Sequence, residues 1–266
     1  MNEYEKALND TEEEEKSFID NHERIAIATY IALKSMNNNF FTTVATDSKL
    51  DLVKVNKSNL LSSFLNNAFA EIDKLKLNKT EFDGYLRNVA DINFKATKEA
   101  LDDVLHGIDI GLTEEEYSNL VQTIFKDNAI DSTIVRGKLS LSQKVRQSIA
   151  SGDSINDLNK SVKKVVEGVV NGNETIITTQ TTKTMNHSRI TGLQKANSKI
   201  DDTIEKIWVS RRDEKVRASH KSLDNGISIP LDEAFDNGLM YPGDPTGDAS
   251  EVIRCRCELE HVVIKH

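Results

Sequence analysis

Residues 201–266 read DDTIEKIWVSRRDEKVRASHKSLDNGISIPLDEAFDNGLMYPGDPTGDASEVIRCRCELEHVVIKH, and this stretch decides the fold class. It holds both cysteines, all three prolines and the only tryptophan of the chain. Its apolar residues recur with a period of two. Ile207 and Val209 flank Trp208; Ile227, Ile229 and Leu231 follow; then Ile253, Cys255, Cys257, Leu259, His261 and Val263 alternate with Arg254, Arg256, Glu258 and Glu260. Such alternation predicts half-buried strands, the last of them with both sulfurs on its inner face. The segments Leu223–Asp224–Asn225–Gly226 and Tyr241–Pro242–Gly243–Asp244–Pro245 carry the residues of tight turns. The stretch reads as a small, turn-rich α+β module.

Upstream the period is helical. Leu61, Phe64, Leu65, Ala68, Phe69, Ile72 and Leu75 follow the i, i+3, i+4, i+7 rule with polar residues opposite. Phe18, Ile25, Ala28 and Ala32 follow Glu12–Glu15 at the same spacing, predicting a solvated helix that ends at Asn37–Asn38–Asn39. Thr80 with Asp83, Thr113 with Glu116 and Ser154 with Asp157 have the spacing of helix-entry boxes, in which a hydroxyl and an acid satisfy the free donors of a first turn. Tyr117, Leu120, Val121, Ile124 and Phe125 supply the stripe of the second of these helices, and Leu158, Val162, Val165, Val166 and Val169 that of the third, which Gly172 is expected to end. The β-branched run Thr175–Thr184 disfavours helix on propensity, yet no Gly or Pro breaks it and helix is expected. The chain is therefore expected to be mainly α: a long amphipathic helical region over 1–200, then the α+β module over 201–266, with the boundary at the composition change near Asp201–Glu205.

Composition narrows the function classes. A formal charge of −9 over 266 residues argues against a surface that grips nucleic acid everywhere. The charge is uneven: Met1–Ser35 carries nine acids and four bases, while Lys183–Arg217 carries nine bases and five acids. The first is an acidic N-terminal arm. The second makes Lys183, Arg189, Lys195, Lys199, Arg211 and Arg212 the candidates for weak, sequence-independent contact with double-stranded DNA. No apolar run approaches the roughly 18 residues of a membrane span, and the acidic N-terminus does not read as a secretory signal. Synthesis in a reducing cytoplasm is expected.

Cys255 and Cys257 admit three readings. Neighbours two apart on a flat strand lie about 6.5–7 Å from each other, so a disulfide needs a kink. Free cysteines buried as small hydrophobes are the second reading. The third is zinc, with the two thiolates joined by His220 and either Asp213 or His261. Asp213, Arg217 and His220, at i, i+4 and i+7, are expected along one face of a short helix. There they serve either as an ion pair with a histidine that holds the following turn, or as the base and ligands of a metal-assisted hydrolase. Arg254 and Arg256 are expected to face outward.

Trp208, Asp213, Arg217, His220, Asp224, Gly226, Phe235, Pro242, Gly243, Cys255 and Cys257 stand in an order and spacing that resemble a known family. The stretch is similar to the C-terminal domain of the phage Mu F-like minor head proteins, the head morphogenesis proteins of tailed bacteriophages. Asn225 separates Asp224 from Gly226 where the family has the two together, and Arg254 stands in place of an asparagine. The resemblance implies a non-enzymatic minor capsid protein of the virion, bound to the portal protein inside the procapsid, with capsid and scaffolding proteins as further partners. It also implies a role in head assembly and contact with DNA at packaging or ejection. The competing readings are a zinc-dependent hydrolase or nuclease using the Asp/His/Cys cluster, and a pure DNA-binding factor.

Overall fold

The structure is a computed structural model that describes residues 2–46, 59–111, 113, 115–116, 119 and 129–265. The stripe expected at Tyr117–Phe125 lies outside the described residues. The chain is mainly α with a small antiparallel sheet near its end. Among the described residues six helices come first: α1 Glu3–Thr46, α2 Asn59–Asp73, α3 Lys79–Ala100, α4 Asp102–Leu105, α5 Ala129–Ser151 and α6 Ile155–Asn197. Then follow β1 Thr203–Val209, α7 Ala218–Leu223, β2 Ser228–Pro230, α8 Ala249–Val252 and β3 Glu258–Ile264, with sheet order β2-β1-β3.

Two compact units share α1 and α6 between them. One comprises Ile19–Asn78 and Asn128–Glu174. Its core takes the stripe of α2 (Leu61, Phe64, Leu65, Ala68, Ile72), together with Ile134, Leu141 and Val145 of α5 and Leu158, Val162 and Val166 of α6. Gly172 belongs to this packing and does not end a helix. α6 passes through it because a Cβ at that point would lie 2.7 Å from Thr133 Cγ2, so only glycine lets α5 come this close. The first helix likewise runs past Asn37–Asn39. Asn37 and Asn38 are tied to Asn159 instead, with Asn37 Nδ2 donating to Asn159 Oδ1 at 3.0 Å.

The other unit comprises Met1–Phe18, Lys79–Asp127 and Thr175–His266. Its core joins Phe94, Leu101 and Leu105 to Ile190 and Leu193 of α6, and these to Trp208, Leu223, Phe235, Leu239 and Leu259 of the C-terminal module. Ile204, Lys206 and Trp208 form the inward face of β1. The start of α1 is packed here and is not a solvated arm: Tyr4, Ala7 and Thr11 are buried. A polar network runs beneath them. Arg189, fully buried, donates to Asn93 Oδ1 at 2.9 Å, Glu258 Oε2 at 3.1 Å and the Leu259 carbonyl at 3.1 Å, and its guanidinium lies 4.6 Å from the centre of the Tyr4 ring.

Local rules explain several helix ends. Glu116 N donates to Thr113 Oγ1 at 3.2 Å and Thr113 N to Glu116 Oε2 at 2.7 Å, a reciprocal box; Asp157 N likewise donates to Ser154 Oγ at 3.2 Å. Thr80 departs from expectation, because α3 begins one residue earlier and Thr80 falls inside its first turn. The Thr-rich run 175–184 is helical, with Thr179 and Thr181 donating to carbonyls four residues back.

Candidate metal centre

The two cysteines do not lie on a strand. β3 starts at Glu258, after them, because Arg254 adopts φ +54° and turns the backbone. Strand partners are replaced by the polar face of α6. Thr182 Oγ1 donates to the Cys255 carbonyl at 2.5 Å, and Asn186 Nδ2 donates to the carbonyls of Cys257 and Pro242 at 3.0 Å each. Asn186 Oδ1 then accepts from Leu259 N at 2.7 Å, and Thr179 Oγ1 from Arg254 N at 3.0 Å. One helix face thus clamps the Cys–Arg–Cys segment and the Pro242–Gly243 turn together. Gly243, at φ +82°, makes that approach feasible: a Cβ there would lie 3.2 Å from Lys183 N.

Held this way, both sulfurs point inward and meet His220. Its Nδ1 lies 3.4 Å from Cys257 Sγ and 3.7 Å from Cys255 Sγ, and the three donor atoms all fall within 4.8 Å of one another. α7 presents the imidazole and α8 orients it: His220 Nε2 is 2.9 Å from Glu251 Oε2, and Ser219 Oγ donates to the same oxygen at 3.0 Å. A carboxylate only accepts, so Nε2 carries its proton and Nδ1 faces the sulfurs. Trp208 packs edge-on against His220 at 4.9 Å and against Phe235 at 5.2 Å, which walls the site with aromatic surface. His220, Cys255 and Cys257 are 1–2% exposed.

The sulfurs are free and perturb one another. The Cys257 thiol donates to Cys255 and, against the opposing effect of burial, holds Cys255 below the usual thiol range; the same contact drives Cys257 up. Among the described residues the Trp208 N–H has no hydrogen-bond partner of ordinary geometry, yet it acts on Cys257 in the direction that favours thiolate.

Other expected members of the cluster stand elsewhere. Asp213 is not on a helix with His220, because α7 begins only at Ala218 with Arg217 at its N-cap. Asp213 accepts from Lys215 N at 2.9 Å and pairs with Arg256 at 2.8 Å, which holds its carboxyl below the usual range. Arg256 is thereby occupied and does not simply face solvent, and Arg254 Nε donates to Thr175 Oγ1 at 2.9 Å. Arg217 donates to the Ile253 carbonyl. His261 faces Tyr4, whose hydroxyl is 2.9 Å from its Nδ1. Asp224 accepts from Arg212 and Ser210 at 2.9 and 2.8 Å, and Gly226 closes the following turn at φ +74°.

The basic stretch offers less than its count of charges suggests. Arg189 is wholly buried and cannot meet a phosphate. Lys195 is paired with Glu116, Lys199 with the Asp109 carbonyl, Arg211 with Glu12 and Arg212 with Asp224. Lys183 is half-buried. Sequence reading passed over Thr182, Asn186 and Glu251. The only signal for the first two was a run of polar, helix-averse residues with no loop signature, and for Glu251 there was none.

Residues 140–260 match the family model described as Phage Mu protein F like protein. The resemblance carried by Trp208–Cys257 therefore holds, and the matched stretch reaches back through α6 into α5, the helices that the motif left out. No curated protein and no solved structure matches the chain at a significant level.

Proposed function

Taking residues 140–260 as a module of the phage Mu F-like head morphogenesis family, we propose that the chain is a minor head protein that sits at the portal vertex inside the procapsid. The family match carries this reading. Support comes from the unit formed by Ile19–Asn78 and Asn128–Glu174. It exposes Ile27 and Ile31 on α1 and Val135 and Leu139 on α5, each near 60%, and Ile27 also lines a groove of about 380 Å³ between α1 and α6, where Ala26, Tyr30, Val166 and Val170 stand among charged residues such as Glu23, Lys163 and Glu167. Apolar side chains lying along helices are a common partner surface, and a portal protein is the partner proposed for it. Among the described residues no helix is long and apolar enough to cross a membrane.

The hydrolase reading draws no support from the geometry. His220, Cys255 and Cys257 are almost fully buried, and Asp213 is committed to Arg256. Contact with DNA, on this reading, is weak and salt-sensitive, because the bases of Lys195–Arg212 already hold partners.

The test is co-sedimentation of the full chain with purified portal rings. Binding is expected for the wild-type chain and for Lys221→Ala. It is expected to fall at least tenfold for Ile27→Asp with Ile31→Asp. These side chains are solvated, so both variants should stay folded by circular dichroism. A wild-type chain that ignores the rings, or a double variant that binds them equally well, contradicts the docking surface.

A further inference from the structure

We propose that Nδ1 of His220 and the sulfurs of Cys255 and Cys257 form a zinc site that locks the C-terminal module. The inference does not rest on the head-protein reading. Zn–S bonds of about 2.3 Å and Zn–N bonds of about 2.0–2.1 Å, set at a tetrahedral angle, place sulfur and nitrogen about 3.6 Å apart. The two observed separations, 3.4 and 3.7 Å, bracket that value. Such convergence is not a default of the sequence. On a flat strand the two cysteines would stand about 6.5–7 Å apart along one face. Here the left-handed turn at Arg254 and the clamp of Thr182 and Asn186 bring both sulfurs onto one imidazole nitrogen.

The surroundings have the form of a metal site. His220 gives its other ring nitrogen to Glu251 at 2.9 Å, the carboxylate–histidine arrangement that sets the tautomer and raises the basicity of a ligating imidazole. Two sulfurs and one imidazole select a borderline-soft ion and reject magnesium or calcium. Burial to 1–2% closes the three donors to a substrate. Among the described residues no fourth His, Cys, Asp or Glu joins the group, which leaves one position of a tetrahedral shell to another donor.

The experiment uses the full chain, expressed with zinc and dialysed against metal-free buffer. Elemental analysis should find close to one zinc per chain. Replacement by Co²⁺ should produce a thiolate-to-cobalt charge-transfer band and the intense visible bands of a four-coordinate ion. A chelator should lower the Tm of the wild-type chain, and Zn²⁺ but not Mg²⁺ should restore it. Cys255→Ser and Cys257→Ser should lose the ion, Asp213→Asn should keep it, and Glu251→Gln should keep it with affinity reduced about 10- to 100-fold. Because the cysteine variants test folding as well as ligation, the wild-type cobalt spectrum and chelator response decide independently. A chain without zinc that takes up no Co²⁺ and melts identically with chelator overturns the site. So does bound cobalt with no thiolate band, or zinc retained by Cys257→Ser.

Discussion

At the scale of single residues, identity and environment part company in two places. Gly172 has the composition signal of a helix end and serves instead as a gap for Thr133. Replacing it by Ala gains about 1 kcal/mol of helix propensity, but forces a contact that overpacking data put at about 1–3 kcal/mol. Gly172→Ala is therefore expected to lower stability in urea melts, and Thr133→Ser, which removes the clashing methyl, to recover part of the loss. A stabilised Gly172→Ala would contradict the packing. Arg189 counts as a surface base in any tally of charge, yet it is buried against Glu258. Arg189→Met leaves Glu258 without its ion-pair partner, at an expected cost of about 3–5 kcal/mol. Weak DNA binding, measured under conditions where the variant stays folded, should not change. No local pattern separates a buried arginine from a solvated one, so this was not legible in the sequence.

Among elements, helix stripes were readable because each repeats one rule many times, while some helix ends were not: the stripe at Leu61–Leu75 and the boxes at Thr113 and Ser154 are where periodicity and capping place them, but α1 and α6 run past the ends expected at Asn37–Asn39 and Gly172. The Cys–Arg–Cys segment misled, since alternation looks the same whether the hydrogen bonds come from a strand or from the side chains of a helix. Asn186 is the sharpest test of that substitution. It makes bonds to Pro242, Cys257 and Leu259, and Asn186→Ala should cost about 2–4 kcal/mol at roughly 1 kcal/mol or more per buried bond. β3 also carries a pH dependence. Burial lowers His261 from 6.5 to about 4, so between those values the unfolded chain takes up a proton that the folded chain refuses. Stability should fall as pH drops through that window, by an amount on the order of 3 kcal/mol. Glu15 and Glu260, both raised by burial, oppose the trend. The comparison is thus wild type against His261→Phe, whose profile should be flatter between pH 6.5 and 4; equal slopes would remove His261 from the account.

For the whole molecule, the sequence shows which faces are apolar but not which faces meet. Lys79–Asp127 and Met1–Phe18 pack with the C-terminal residues across most of the chain's length, and pairing of that kind leaves no local trace. One consequence is that a fragment starting at Asp201 lacks Phe94, Leu101, Leu105, Ile190 and Leu193, which belong to its core. It should give poorly dispersed amide spectra, and a well-folded fragment would show the module to be self-sufficient. The motif from Trp208 to Cys257 was legible because turns and rare residues are specified one by one. The helix that completes the site was not, because its threonines and asparagines carry no signature until the loop they hold is known. The central claim, a minor component of a phage head, is tested most directly by quantitative mass spectrometry of purified procapsids and mature particles. The account predicts this chain in procapsids, at a small fraction of the major capsid protein, with copy number tracking the portal; its absence from both particles would contradict it.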